Sequence, residues 1–323
     1  MDEGGDAGMT FDLSGKRIWV AGHKGMVGSA IMRRLAGEQC EVLTVDRATL
    51  DLTDQRAVLD WIQRARPDAV FMAAAQVGGI LANATYPVDF LRDNLLIETA
   101  VMGAAQSAGV GKLLFLGSSC IYPKHASQPI REDALMTGPL EPTNQWYAVA
   151  KIAGIMLAQA YRQQHGCNFI SAMPTNLYGP GDNFDPQGSH VVPALIRKAH
   201  EAKAKGTPVT LWGTGTPLRE FMYVDDCADA CVFLMKTYSD AEHINIGTGS
   251  EISILDLART VMQVVGYDGE IVTDATKPDG TPRKLMDNTK LHQLGWRPRT
   301  DLREGISKAY AAFLAGEGRG LQG

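Results

Sequence analysis

Long apolar runs are missing from this chain of 323 residues. None approaches the ~18 consecutive apolar residues of a membrane span, so an integral helical membrane protein is not expected. Cysteine is sparse: five residues, an odd number, with no Cys-x-x-Cys among Cys40, Cys120, Cys167, Cys227 and Cys231. A disulfide framework or a thiolate zinc site is therefore not indicated. A large charge of either sign is lacking as well. The net charge of −5 and pI near 5.8 recommend neither nucleic acid nor an anionic membrane as a partner. An anionic substrate would have to be held by local Arg and Lys. Repeats and heptads are absent. The only biased stretch is the acidic, Gly-rich start MDEGGDAGMTFDLS, which has no apolar core of the signal-peptide kind. Residues 1–14 are expected to form a disordered lead-in, and the cytoplasm is the expected compartment.

What is present is 45% hydrophobic residues in short β-branched runs that alternate with helical patterns. Strands are expected at Arg17–Ala21, Glu41–Val45, Ala69–Ala73, Leu113–Leu116 and Asn168–Met173. Helices are expected over Met26–Leu35, Asp89–Ala108 and Tyr147–Gln164. Apolar strands alternating with helices imply a parallel sheet covered on both faces, the doubly wound α/β architecture of Rossmann type. Beyond Asn176, Gly and Pro break the pattern and a smaller α/β lobe is expected. The reading assigns 15–176, with a returning segment near 225–247, to dinucleotide binding, and 177–224 with 248–323 to the substrate.

Gly22-His23-Lys24-Gly25-Met26-Val27-Gly28 follows the first strand and opens the first helix. Glycines at this spacing allow a tight turn, close backbone approach to a pyrophosphate, and a helix N-terminus aimed at the phosphates. The second strand ends in Val45-Asp46-Arg47. An acid at that place suits the ribose 2′-hydroxyl of NAD, whereas Arg47 and Lys24 suit the 2′-phosphate of NADP, and the two cations favour NADP(H). Asp51, in Leu50-Asp51-Leu52, is placed either for the adenine amino group or for a helix start.

Tyr147 and Lys151 stand four apart on one helix face. A phenol is a poor acid–base near neutrality, and an adjacent ammonium favours its ionised form. Gly117-Ser118-Ser119-Cys120 follows the fourth strand, where Ser118 or Ser119 could bond a substrate oxygen. Read alone, Cys120 is a small buried side chain and His190 a loop or helix-cap residue.

Four segments together carry a resemblance: Ala21–Ser29, Leu116–Pro123, Pro174–Pro180 and Lys277–Lys284. They resemble the GDP-L-fucose synthase family of extended short-chain dehydrogenases/reductases, from about Lys16 to the C-terminus. The resemblance implies two activities in one pocket, epimerisation at C3 and C5 of a GDP-4-keto-6-deoxy sugar and NADPH-dependent reduction at C4. It makes Cys120 and His190 the acid–base pair for epimerisation, with Ser118, Tyr147 and Lys151 the reductase set. It implies cofactor contacts along the glycine turn (Gly22, Lys24, Gly25, Met26, Val27, Gly28), at Arg47, Asp51 and Leu52, at Leu116, Gly117 and Ser118, at Lys151, along Pro174, Thr175, Asn176 and Leu177, and at His190. Lys198, Trp212, Arg219 and Asp279 would hold the GDP end. Lys198 departs from the family's Arg, keeping the charge but not the two-pronged geometry. A 4-epimerase would not need the Cys/His pair, and a 4,6-dehydratase carries acids where Ser119 and Cys120 stand. A non-catalytic dinucleotide sensor usually loses the Tyr or the Lys. The apolar outer faces of the two long helices point to a homodimer.

Overall fold

The computed structural model describes residues 11–186, 188–277 and 279–321, without the side chain of Ile80. Residues 1–10 of the expected lead-in, and Pro278 of the fourth resembling segment, lie outside the described residues. The first lobe runs β1 (Arg17–Ala21), α1 (Met26–Leu35), β2 (Glu41–Leu43), α2 (Gln55–Ala65), β3 (Ala69–Met72), α3 (Ile80–Thr85), α4 (Pro87–Ser107), β4 (Lys112–Leu116), α5 (Gln145–His165) and β5 (Phe169–Pro174). Next come β6 (Asn176–Tyr178), α6 (Val191–Lys205), β7 (Val209–Trp212), β8 (Leu218–Tyr223), α7 (Val224–Thr237) and β9 (Ile244–Ile246). The chain ends with β10 (Glu251–Ser253), α8 (Ile254–Val265), β11 (Ile271–Asp274), β12 (Arg283–Lys284), α9 (Thr289–Gln293) and α10 (Leu302–Leu314).

The main sheet is wholly parallel, in the order β2-β1-β3-β4-β5-β9. Burial explains the composition of its strands: every residue of β3, β4 and β5 is buried, so apolar side chains are needed on both faces. One core lies between the sheet, α1 and α7; the other lies between the sheet, α2, α4 and α5. The strand order reverses between β1 and β3, which opens a crevice at their C-terminal ends where α/β sheets bind ligands. The returning segment expected near 225–247 is α7 and β9, which closes the sheet beside β5.

Three expectations are revised. The second strand stops at Leu43. The lead-in does not reach residue 14: the Phe11 amide donates to the Lys236 carbonyl at 2.8 Å and Leu13 is fully buried, so this segment caps the first core. The stretch 248–323 is not one lobe either. Leu291 and Trp296 fill the first core beside α7, because Trp296 Nε1 donates to Asp229 at 2.9 Å.

The lobes are tied by Glu220 on β8. Its buried carboxylate accepts the amides of Thr248 (2.6 Å), Gly249 (2.7 Å) and Met286 (3.1 Å). Its carbonyl accepts from Asn176 Nδ2 at 2.8 Å and Thr175 Oγ1 at 3.3 Å. Glu220→Ala would leave three backbone N–H groups without this acceptor. At roughly 1–3 kcal/mol for each unsatisfied group, a loss of at least about 3 kcal/mol is expected in urea unfolding.

Candidate active site

The glycine turn sits in the crevice between β1 and β3. Gly22 has φ +87°, and a Cβ there would stand 2.7 Å from the Ala74 nitrogen; one on Gly28 would stand 2.1 Å from the Gly22 carbonyl oxygen. The turn and the start of α1 therefore fold only without side chains at these positions. Gly25 differs: its Cβ would meet only the Gly22 oxygen, at 3.3 Å. The ground before α1 is thus open, and no side chain caps that helix start. An uncapped helix N-terminus facing open space fits a pyrophosphate.

Lys24 is not a lone cation. Its Nζ pairs with Asp46 at 2.7 Å, and His23 Nε2 stands 3.2 Å from the same carboxylate oxygen. Lys24 foremost holds the Asp46 carboxyl below its usual range. Arg47 is exposed beside it. Asp51 spends one oxygen on Thr53, accepting its amide at 2.9 Å and its hydroxyl at 2.8 Å, while Leu52 packs against the second core. Met26 and Val27 rest on the first core. Farther along, Leu116 is buried and Gly117 binds the Ala172 carbonyl. Pro174 ends β5, and Leu177 lies on the first core. The Thr175 and Asn176 side chains both reach Glu220, which leaves mainly the backbone of this segment to face a cofactor.

The chemistry gathers at the C-terminal end of β4. Ser118 opens a short turn, its Oγ accepting the Cys120 amide at 3.2 Å, with the Tyr147 phenol nearby. Ser119, the neighbouring alternative, is buried in that turn. Burial, with Cys120 and Glu98 nearby, pushes the Tyr147 phenol above its ordinary range, and the neighbouring Ser118 hydroxyl opposes the shift. The phenol therefore keeps its proton at neutral pH. Lys151 Nζ lies 5.9 Å from the Tyr147 ring centre and 4.6 Å from that of Phe115.

Cys120 Sγ accepts from Asn144 Nδ2 at 3.2 Å, and Lys284 Nζ approaches it to 3.8 Å. A small cavity beside it is lined by Lys124, Glu141, Asn144, Thr281 and Lys284. His190 is the N-cap residue of α6, at the end of the loop that follows β6. Its surface is exposed, while the protein mass behind it and the Arg319 cation hold its pKa below the ordinary imidazole value. No hydrogen bond joins His190 to Cys120 among the described residues.

The second lobe assembles a cationic, aromatic patch. The Lys198 and Lys277 ammonium groups lie 5.3 and 5.4 Å from the ring centre of Trp212, which is 52% exposed. Lys198 also donates to the Thr210 carbonyl at 3.0 Å. Asp279 accepts the Thr214 amide at 2.7 Å, and its charge, with that of Glu141, faces the half-buried Arg219 guanidinium. The four residues read from the sequence thus stand as two pairs, Lys198 with Trp212 and Arg219 with Asp279. Reading by motif gave no role to Asn144 or Glu98, which belong to no spacing rule, nor to Lys277 and Lys284, the two ends of the fourth resembling segment.

A Rossmann-type sheet, a glycine turn and a Ser/Tyr/Lys set define a dinucleotide-dependent enzyme of the short-chain kind. The chain matches the model of the NAD dependent epimerase/dehydratase family over residues 18–247 and belongs to that family, within its GDP-L-fucose synthase branch. It is 64% identical to GDP-L-fucose synthase of Sinorhizobium fredii over 94% of this chain and 97% of the relative. It is 52% identical to GDP-L-fucose synthase of Escherichia coli over 95% and 99%. The crystal structure of a GDP-L-fucose synthetase from Naegleria fowleri bound to NADP superposes with a TM-score of 0.89 at 31% identity, covering 98% of this chain and 97% of that one.

The loop that carries His190 contains a pH-sensitive group. Asp182 is 3% exposed and one carboxyl oxygen has no hydrogen-bond partner among the described residues. Burial raises its pKa to about 7, against the Asn183 amide and Arg319. An acid whose folded pKa is raised binds more protons when folded. Its burden on stability is therefore absent below about pH 4 and grows as pH rises to about 7. Asp182→Asn is expected to be relatively more stable than the parent at pH 8 than at pH 5, as read by thermal unfolding at both values.

Proposed function

We propose that the chain converts GDP-4-keto-6-deoxy-D-mannose to GDP-L-fucose by epimerisation at C3 and C5 and reduction at C4. The observation that carries this reading is the run Ser118–Cys120 beside Tyr147: one turn offers a hydroxyl near a protonated phenol and, two residues on, a thiol set between Asn144 and Lys284. The C4 carbonyl makes the protons at C3 and C5 acidic. Cys120 and His190 are the groups suited to remove and return them, because thiol and imidazole both exchange protons near neutrality. Lys284 places a positive charge beside the sulfur as it gives up its proton. Ser118 holds the C4 oxygen, and Tyr147, kept protonated by its surroundings, donates to that oxygen when reduction occurs. NADPH, when bound, supplies the hydride to C4. The glycine turn, Lys24 and Arg47 hold its phosphates, while Lys151 bonds the nicotinamide ribose. Arg219 and Lys198 bind the diphosphate, with Trp212 against the nucleoside and Asp279 fixing the loop around it.

The test separates the two halves. Purified protein mixed with NADPH and the keto sugar nucleotide is expected to consume NADPH and yield GDP-L-fucose. No oxidation of NADPH would overturn the reading, and oxidation of NADH alone would overturn the roles of Lys24 and Arg47. Cys120→Ser is expected to lower solvent-deuterium exchange at C3 and C5 at least ~100-fold, the usual scale of a lost acid–base group. Tyr147→Phe should stop NADPH oxidation while that exchange persists.

The same reading makes the enzyme a cytoplasmic homodimer. All five cysteines are unpaired, in keeping with a reducing compartment, and among the described residues no helix is long and apolar enough to cross a membrane. Leu96 on α4, with Trp146, Val149 and Met156 on one face of α5, present exposed apolar surface where the two helices pack together. Light scattering at micromolar concentration is expected to give twice the chain mass, and a monomer would remove the assembly from the reading.

A further inference from the structure

The Lys151 ammonium faces a group that the reaction scheme leaves unused. Glu98, on the middle of α4, brings Oε1 to 3.2 Å from Lys151 Nζ, and each side chain is only 2% exposed. The contact is an ion pair without the geometry of a directed hydrogen bond. Both Glu98 oxygens are therefore buried with no hydrogen-bond partner among the described residues. A buried carboxylate in that state is costly unless an opposite charge compensates it. The fold makes room for it at a specific expense of side chain. A Cβ on Gly154, three residues beyond Lys151, would stand 2.8 Å from Glu98 Oε2 and 2.4 Å from the Phe115 ring. Gly154 is thus the gap in α5 through which Glu98 reaches the lysine.

We propose that Glu98 is a positioning residue of the reductase centre, the counterion that holds Lys151 against Tyr147 and keeps the Tyr147–Lys151 pair in its protonated form. The inference rests on the assignment of Tyr147 as proton donor to the C4 oxygen. A donor must still carry its proton when hydride arrives, and an uncompensated ammonium beside it would favour the phenolate instead. The titratable groups that face the pair are Glu98 from α4 and Cys120 from the turn after β4. Phe115 of β4 and Gly154 of α5 add no charge. Of these, Glu98 alone is an acid buried beside the ammonium, and its negative charge also raises the Tyr147 phenol.

Ionisation of the Tyr147 phenol adds a negative charge near Glu98, which resists that step. Removing the Glu98 charge therefore moves the alkaline limb downward. Glu98→Gln keeps the shape and removes the charge. Its kcat for NADPH-dependent reduction, measured across pH with both substrates saturating, is expected to lose its alkaline limb about one pH unit below the parent, the ordinary size of one near charge. One pH unit above the variant's limb this should appear as a fall of up to about tenfold in kcat relative to the parent, with a smaller change in KM for the sugar nucleotide. Glu98→Asp keeps the charge but draws it back by one methylene, and its limb is expected between the other two. It carries the test by itself should the Gln chain not fold. An unshifted alkaline limb in a folded variant that binds NADPH would overturn the inference. Tyr147→Phe and Lys151→Met serve as controls: full activity in these would instead sink the assignment of the reductase pair, whereas their inactivity beside a silent Glu98 variant would sink only the role of Glu98.

Discussion

Glu220 occupies the point where three separate segments of the chain meet on one residue. Through its side chain it collects the loop after β9 and the start of the segment beyond β12, and through its carbonyl it collects Thr175 and Asn176 at the exit of β5. An anion accepting several amides is among the stronger uses of a buried charge, because the hydrogen bonds replace its lost hydration. The consequence for function is positional. Arg219 is the preceding residue on the same strand, and the segment 174–177 is the one aligned with the cofactor crevice. One satisfied charge thus ties the strand that carries Arg219 to the segment that leaves β5.

Around that joint the protein uses charge pairs in two ways. On the surface, Lys24 and Asp46 meet in solvent, where such a pair contributes little stability and can yield to an incoming phosphate. In the interior, Lys151 and Glu98 have no water to fall back on, so their pairing governs which protonation state the site holds. The contrast is one of dielectric: the same two charge types are interchangeable ornaments at the rim and determinants of acid–base state at depth.

The proposed chemistry asks one pocket for two kinds of proton transfer. Ser118 and Cys120 leave the same short turn, so the hydroxyl proposed to orient the C4 oxygen and the thiol proposed to exchange with carbon lie two residues apart. His190 comes from a separate loop after β6, pinned on the C-terminal segment by the Gly181 and Phe184 amides, which donate to the carbonyls of Glu317 and Arg319. Acid and base on different elements can address different faces of a ring, as inversion at carbon requires.

By itself the sequence determined the parallel sheet, the glycine turn and the helix pairing of Tyr147 with Lys151. Each rests on a local rule: apolar runs of strand length, the spacing that frees a turn of Cβ atoms, and four residues per helical step. It also marked the returning segment, because α7 and β9 together have the length and polarity of one crossover. Tertiary structure decided the rest. That Leu13 caps a core, that Trp296 packs into the first core, and that Asn144 and Lys284 meet at Cys120 depend on which surfaces come together, not on any period in the chain. Glu98 is the clearest case. In sequence it is one acid in a long amphipathic helix, indistinguishable from a solvated charge. Only the packing of α4 on α5, through the gap at Gly154, removes the water around it and leaves Lys151 as its partner.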